Sequence, residues 1–181
     1  MSQSQPNSHK PAEDLPTTPE ILLEYLDSLD IDYQIFDHEP IFTVEEGEHL
    51  KKNIPGVHCR NLYLRDKQKN NYLLVLANET QVDLKKLPVL LDCGRLSFGS
   101  ADRLWEFLGI RPGSVNPFSI MNDPDNKVRL YLDASMMEAD LVNYHPMDNA
   151  QTIGLSPADL IRFIESLKHE YSIIDLSPAK P

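Results

Sequence analysis

A β-hairpin predicted over Gly56–Asn78 limits the possible folds more than any other segment of the chain. Leu62 and Leu64 alternate with polar or amphipathic neighbours, and a polar stretch from residue 66 to residue 71 follows. Tyr72–Ala77 is then almost continuously apolar. Alternation is typical of a strand with one buried face, whereas a short apolar run predicts a strand buried on both faces. The hairpin therefore predicts a sheet with structure packed on each side.

Four polar or reactive side chains stand where the first strand begins: His58, Cys59, Arg60 and Asn61. Proteins that combine helices with a sheet commonly place chemistry where a strand meets a loop. The alternative interpretation is that these side chains are merely solvated, because polar groups at strand ends are often structural. Local sequence leaves both interpretations open.

Helices are expected around this hairpin. Thr18 followed by Pro19 is typical of a helix start, and Ser156 followed by Pro157 predicts another near the C-terminus. The segment from residue 81 to residue 91 also looks helical, with Pro88 ending or kinking it. The pattern favours a mixed α/β fold with one mixed β-sheet and flanking helices.

The length of 181 residues and the hydrophobic content of 41% fit one domain with a substantial core. Residues 1–16 are polar and rich in Ser, Gln and Pro, so they are predicted to form a disordered tail. The domain is expected over residues 17–170. Residues 171–181 are expected to be a short tail, frayed from Ser172 onward.

Composition also limits the chemistry. The two cysteines lack the spacing of a metal site or a disulfide framework, which favours a reducing cytoplasm and predicts no metal and no cofactor. No segment has the apolar length of a signal peptide or a membrane span. The net charge of −11 argues against a broad nucleic-acid surface, so any RNA contact must be local. The clustered cations that could make one, or else simply form a solvated face, are Lys51, Lys52, Arg60, Arg65, Lys67 and Lys69.

Several familiar catalytic motifs are missing. The glycines form neither a dinucleotide fingerprint nor a phosphate-binding loop, and there is no nucleophile elbow. No residue is tied to Cys59 as a base, so a small apolar role fits it better than a nucleophilic one. His38 and His145 follow predicted strands, and each could be a structural histidine or an acid or base.

Four motifs carry a resemblance to a known family. They read HEPIFTVEE from residue 38, RNLYLRD from residue 60, SFGS from residue 97, and NYHP from residue 143 with Asn149 and Thr152 beyond it. In order and spacing they resemble the YbaK/ProX family of aminoacyl-tRNA editing domains, and especially its prolyl-tRNA editing branch. The resemblance extends from about residue 18 to residue 168.

The resemblance implies a metal-independent aminoacyl-tRNA hydrolase that acts in trans on mischarged tRNA(Pro), with the alanyl ester as the expected substrate. The acceptor end of the tRNA is the implied partner, and prolyl-tRNA synthetase is a further candidate. The implied catalytic residues are Arg60, Asn61 and His145. The implied substrate-binding residues are His38, Thr43, Gly99, Ser100, Asn149 and Thr152.

One position departs from the family pattern. The family has a lysine before the asparagine of the hairpin, whereas this chain has Arg60 before Asn61. Arginine keeps the positive charge, but it does not give up a proton and its planar fork is bulkier than an ammonium group. A tRNA-binding or aminoacyl-nucleotide-binding homologue without turnover is therefore the alternative function.

Overall fold

The computed structural model describes residues 14–41 and 44–181, with the backbone alone at residue 44. Residues 1–13 of the predicted disordered tail and the implied substrate-binding residue Thr43 lie outside this described part. Leu15, which was also predicted to be disordered, is instead buried in the hydrophobic core, where its apolar side chain fixes this end of the tail. The α-helices are α1 (Pro19–Ser28), α2 (Val44–Lys51), α3 (Leu87–Leu90), α4 (Ala101–Leu108) and α5 (Pro157–Ser166). The strands are β1 (Tyr33–Asp37), β2 (Val57–Arg65), β3 (Asn71–Ala77), β4 (Ser97–Phe98), β5 (Val128–Asp133), β6 (Val142–Tyr144), β7 (Gln151–Leu155) and β8 (Tyr171–Ile174).

The predicted hairpin is the centre of the sheet. Strands β2 and β3 pair in antiparallel register from Cys59 opposite Ala77 to Arg65 opposite Asn71. The full strand order is β1-β7-β6-β2-β3-β5-β8, with β4 added to β2. The pairs β2/β6, β3/β5 and β5/β8 are parallel, and the remaining pairs are antiparallel. This mixed sheet confirms the predicted fold class.

Apolar layers cover both faces of β3, as its sequence predicted. Every residue of β3 is buried. Leu73 and Val75 belong to the larger core with α1, α4 and α5, and Leu74 and Leu76 belong to a smaller core on the opposite face. The strand is therefore inaccessible to a ligand.

The C-terminal prediction was wrong. Residues 171–174 form β8, which pairs with β5 in parallel register, Leu132 opposite Ile173. Beyond the strand, Leu176 and Ala179 are buried in the smaller core. The fraying prediction used only proximity to the end of the chain, whereas burial of these side chains fixes the segment.

The helix predicted from residue 81 to residue 91 is also wrong in extent. Only Leu87–Leu90 is helical. The Asp83 carboxylate accepts a hydrogen bond from the backbone N–H of Lys85, at 2.8 Å, and the Asp83 N–H donates to the carbonyl of Ala179, at 2.7 Å. Local side-chain bonding of this kind competes with helix formation.

No helix among residues 14–41 and 44–181 is long and apolar enough to span a bilayer.

Strands β2 and β6 meet only briefly. They pair at Val57 with Val142 and at His58 with Asn143. Beyond this point β2 stays with β3, and β6 stays with β7. The two parallel strands therefore diverge at their carboxyl ends, where ligand sites form in sheets with parallel strands.

Candidate active site

A cavity of about 130 Å³ lies at this divergence, with α2 on one side. Its lining combines side chains from both diverging strands with residues of β7 and α2. The lining residues are Ile41, Gly47, Leu50, Lys51, His58, Cys59, Asn61, Asn143, Tyr144, His145 and Thr152. Because a water molecule takes about 30 Å³ in the liquid, the cavity suits a small group.

His145 presents a ring nitrogen that has no hydrogen bond among the described residues. Its Nδ1 lies 2.9 Å from the backbone oxygen of Gln151, and a carbonyl can only accept, so Nδ1 carries the hydrogen. In the neutral ring, Nε2 then holds a lone pair. Burial lowers the pKa of His145 from its ordinary value of 6.5, and the positive forms of His38 and His58 would lower it further. The ring is therefore a neutral base at physiological pH.

His38 stands beside His145, with ring centroids 6.1 Å apart. Its Nδ1 donates to the backbone oxygen of Glu39 at 2.9 Å, and its Nε2 accepts from the hydroxyl of Thr152 at 3.0 Å in the neutral ring. Asn149 donates through Nδ2 to the backbone oxygen of Ile41, at 3.1 Å. Thr152 thus orients His38, and Asn149 holds Ile41, a residue of the cavity lining, in place.

Asn61 and Asn143 contribute amides from the two diverging strands. Nδ2 of Asn61 donates to the backbone oxygen of Val115 at 2.9 Å. Nδ2 of Asn143 donates to the backbone oxygen of Pro55 at 2.8 Å. Each amide is therefore anchored through its nitrogen, while its buried oxygen has no donor in the part of the chain that the structure describes.

Cys59 lines the cavity, but its thiol is unreactive. Burial raises the pKa of Cys59 to about 12, so almost no thiolate exists at neutral pH. This agrees with the expectation that Cys59 is a small apolar residue. Among the described residues, no group of three or more His, Cys, Asp or Glu side chains is arranged to hold a metal ion.

Arg60 is not brought to the cavity. Its guanidinium donates to the backbone oxygen of Thr80, at 2.6 Å, and Arg60 is not one of the described lining residues. Side chains alternate along a strand, so Arg60 shares the face of Leu62 and Leu64, which pack with the smaller core. The resemblance implied that Arg60 and Asn61 act together in the site. The structure places their side chains on opposite faces of β2, because neighbouring side chains of a strand alternate.

Gly99 and Ser100 also lie away from the cavity. The Gly99 N–H donates to the backbone oxygen of Tyr63 at 3.0 Å, and a Cβ at Gly99 would collide with the Tyr63 ring. The Ser100 hydroxyl accepts from the Arg103 N–H at 3.2 Å and caps α4. Both residues therefore have structural tasks, while Thr43 lies outside the described residues.

The structure brings together five of the implied site residues: Asn61, His145, His38, Asn149 and Thr152. His58 and Asn143 also line the cavity, although neither was among the implied site residues and His58 was noted only as a polar side chain at the start of the strand. Burial lowers the pKa of His58, and its Nε2 lies 3.2 Å from the backbone oxygen of Ile54. The signal for Asn143 was present, because it directly precedes Tyr144 and His145 in the NYHP motif.

Comparison with known families gives a match over residues 38–163 to the aminoacyl-tRNA editing domain. This range contains every described residue that lines the cavity. The chain belongs to the aminoacyl-tRNA editing domain family.

Known proteins match this chain over most of its length. The chain is 34% identical to the prolyl-tRNA editing protein ProX of Acetoanaerobium sticklandii, and the alignment covers 83% of this chain and 93% of that protein. It is also 34% identical to the prolyl-tRNA synthetase associated domain-containing protein 1 of Mus musculus, covering 85% of this chain and 94% of the relative. These matches place the chain within the prolyl-tRNA editing branch.

A solved structure has the same fold. It is described as that of a proposed trans-editing enzyme for prolyl-tRNA synthetase, and its TM-score with this chain is 0.67 at 17% sequence identity. The alignment covers 93% of this chain and 98% of the solved one. The single-domain mixed sheet with flanking helices is thus the fold of this structure as well.

Proposed function

We propose that this protein is an aminoacyl-tRNA deacylase that acts in trans on mischarged tRNA(Pro), with the alanyl ester as its preferred substrate. The observation that carries the proposal is a small cavity into which His145 brings the unpaired Nε2 of a neutral ring. The match to the aminoacyl-tRNA editing domain family supports the same function. The acceptor end of the tRNA enters this cavity, and prolyl-tRNA synthetase is a candidate partner.

His145 supplies the base in this proposal. A water molecule between Nε2 and the ester carbonyl carbon loses a proton to the ring as it attacks, and the ring returns a proton to the departing ribose oxygen. Water adds to the carbonyl and the ester bond breaks, giving free amino acid and tRNA. A positioned base of this kind contributes on the order of 10² to 10⁴ in rate.

A backbone donor is available for the oxyanion. Val57 N–H donates toward β6, to Leu141 at 2.8 Å, while His58 C=O faces β3 and accepts from Asn78. Because backbone groups alternate along a strand, the N–H groups of Cys59 and Asn61 point to the same side as that of Val57. The Cys59 N–H lies within the pairing of His58 with Asn143 and is used by β6. The Asn61 N–H lies beyond this pairing and faces the divergence, where a developing oxyanion would need a donor.

The small volume suits selection by size. A synthetase pocket that fits proline also admits alanine, and each missing methylene is worth only about 1 to 3 kcal/mol of discrimination. A second site too small for the pyrrolidine ring removes the alanyl ester and spares the prolyl ester. The cavity of about 130 Å³ supports this second role.

Single-turnover deacylation of alanyl-tRNA(Pro) and prolyl-tRNA(Pro) tests the proposal. We expect the wild type to hydrolyse the alanyl ester and spare the prolyl ester. His145→Gln, which keeps hydrogen-bonding ability but lacks a basic nitrogen, should lose on the order of 10² or more in rate. A wild type that binds the alanyl ester without hydrolysing it would favour the binding-only alternative.

A further inference from the structure

Two acceptor atoms in the cavity lining have no donor among the described residues: Oδ1 of Asn61 and Oδ1 of Asn143. Both atoms are buried, and the whole Asn143 residue is only 2% exposed. Buried polar groups in native proteins almost always have a hydrogen-bond partner, and an exception calls for a reason. A ligand group with N–H donors would supply one.

The identity of these atoms as acceptors is fixed by their surroundings. The Nδ2 atoms of Asn61 and Asn143 donate to the backbone oxygens of Val115 and Pro55. Rotating either amide by 180° would place its oxygen against a carbonyl oxygen, which cannot donate. Each Oδ1 therefore remains an acceptor in any reasonable assignment of the amide.

Gly154 leaves room beside one of them. Asn143 and Gly154 are direct neighbours across β6 and β7. A Cβ at Gly154 would lie 2.7 Å from Oδ1 of Asn143. A side chain at Gly154 would clash with this acceptor, so the glycine allows the Asn143 amide to keep its position.

The described lining contains no carboxylate, and its cation, Lys51, is paired with Glu48 at 2.7 Å. A charged ammonium group would therefore be buried without a counter-charge. The lone pair of His145 Nε2 is committed to the attacking water in the proposed mechanism. The two amide oxygens suit a small uncharged group with two N–H donors, which describes a primary amine.

We propose that Asn61 and Asn143 form a subsite for the α-amino group of the aminoacyl ester, each amide oxygen accepting one N–H. This inference rests on the proposed deacylase function and names the chemical class of its substrate: esters of amino acids with an unmodified α-amine. Esters whose α-nitrogen is acylated, including those of a growing peptide, offer one N–H and more bulk. They are therefore poor substrates.

The test compares esters that differ at the α-position on the same tRNA(Pro): alanyl, lactyl and N-acetylalanyl. Lactyl replaces the amino group with a hydroxyl at nearly equal size. After each enzymatic rate is divided by its spontaneous rate, we expect the alanyl ester to react at least about tenfold faster than the lactyl ester, because a site that binds N–H groups rejects analogues without them. Equal normalised rates would overturn the subsite while leaving the deacylase function intact.

A binding measurement makes the test independent of turnover. The probes are 3′-alanylamino-3′-deoxyadenosine and its lactyl counterpart, which cannot be hydrolysed as esters. Preferential binding of the alanyl probe supports the subsite even if no ester is cleaved, an outcome that would overturn the proposed function alone. Equal affinity for the two probes counts against the subsite.

Variants separate the subsite from general packing. Asn143→Leu should reduce the alanyl-to-lactyl ratio toward one, by about tenfold or more. Asn122→Leu is the matched control, because Asn122 donates to the backbone oxygen of Leu108 at 2.9 Å but does not line the cavity. It should leave the ratio unchanged even if it lowers stability. A ratio unaltered in a folded Asn143→Leu would contradict the inference.

Discussion

The protonation state of a single residue, His145, decides when the proposed hydrolysis can occur. Burial lowers the pKa of His145 below 6.5, and Nδ1 is committed to the carbonyl of Gln151. The ring therefore stays neutral at pH 7 and becomes charged only in more acidic solution. The same burial couples its ionisation to the stability of the fold.

We expect kcat/KM to fall in acidic solution as the pH drops through the lowered pKa of His145, since the charged ring cannot accept a proton. Folding stability should fall in the same direction, because the unfolded chain binds the proton more readily between the two pKa values. The measurements are pH–rate profiles and urea denaturation between pH 4 and pH 8. In His145→Gln the residual rate should lose this dependence, and a preserved acid limb would assign it to another group.

Cys59 is predicted to take no part in the reaction, in contrast to His145. With burial raising its pKa to about 12, the thiol is neither a nucleophile nor a metal ligand at neutral pH. We expect Cys59→Ala to retain deacylation within a few-fold, and the wild type to be indifferent to EDTA. Circular dichroism checks the fold of the variant. Loss of most activity in a folded Cys59→Ala, or on EDTA treatment, would exclude a mechanism based on water and His145 alone.

Arg60 is predicted to position structure rather than to touch the substrate. Its guanidinium holds the Thr80 carbonyl, and Thr80 in turn donates to the buried Asp133 at 2.5 Å. Arg60→Ala should destabilise the fold by about 1 to 3 kcal/mol, the usual effect of losing a charged donor to a partly buried acceptor. Urea denaturation measures this.

The effect of Arg60→Ala on kcat/KM should be smaller than that of His145→Gln, and Arg60→Lys should retain most activity. Single-turnover rates of the folded fraction provide the comparison. An Arg60→Ala variant of unchanged stability with a 10²-fold lower rate would show that the guanidinium contacts the substrate. Restored turnover in Arg60→Lys from an inactive wild type would favour the binding-only alternative.

At the scale of elements, β8 and the residues after it are part of the core. Leu176 is 1% exposed in the smaller core, whereas Ile173 on the edge strand is 48% exposed. Leu176→Ala should destabilise the protein by about 2 to 5 kcal/mol through the cavity that it leaves. Ile173→Ala removes a similar side chain and should cost far less. Urea denaturation compares them, and equal effects would mean that the C-terminal segment is not packed in solution.

The accuracy of sequence reasoning at this scale depended on how local the determining contacts are. The hairpin was predictable because its apolar pattern and its turn lie in one short segment. Strand β8 was not, because its partner β5 is distant in sequence. For the site, Asn61 and His145 were found through their motifs, whereas the position of Arg60 was missed. Arg60 lies two residues before Leu62 and four before Leu64, so alternation along the strand already predicted that its side chain lies on their face and not on the face of Asn61.

At the scale of the whole molecule, the charge of −11 makes the location of the few cations important. Lys51 lines the cavity, and Lys52 follows it. Lys67 and Lys69 lie in the turn at the other end of β2, about 20 Å away at the rise of an extended strand. Binding of tRNA should therefore be weak and strongly dependent on salt, with the cations near the cavity contributing most.

Two double charge reversals test this arrangement. Lys51→Glu with Lys52→Glu should raise KM for the tRNA more than it lowers kcat, because phosphate contacts made equally in the ground state and the transition state act mainly on binding. Lys67→Glu with Lys69→Glu has the same change in net charge and is the matched control. Steady-state kinetics at two salt concentrations provide the measurement. A larger KM effect from the pair at positions 67 and 69 would place the tRNA across the hairpin turn.

The pairing of β1 with β7 has a consequence for synthesis on the ribosome. Among the described residues, β1 finds its strand partner only in β7, and 114 residues separate His38 from Thr152. At about 5 to 20 residues per second, that interval takes roughly 6 to 23 s. The lining residues up to Asn61 are thus synthesised well before those from Asn143 to Thr152 emerge from the exit tunnel. A nascent chain stalled before residue 150 would hold His38 without its hydroxyl partner, so the cavity can be complete only when translation of the domain is nearly finished.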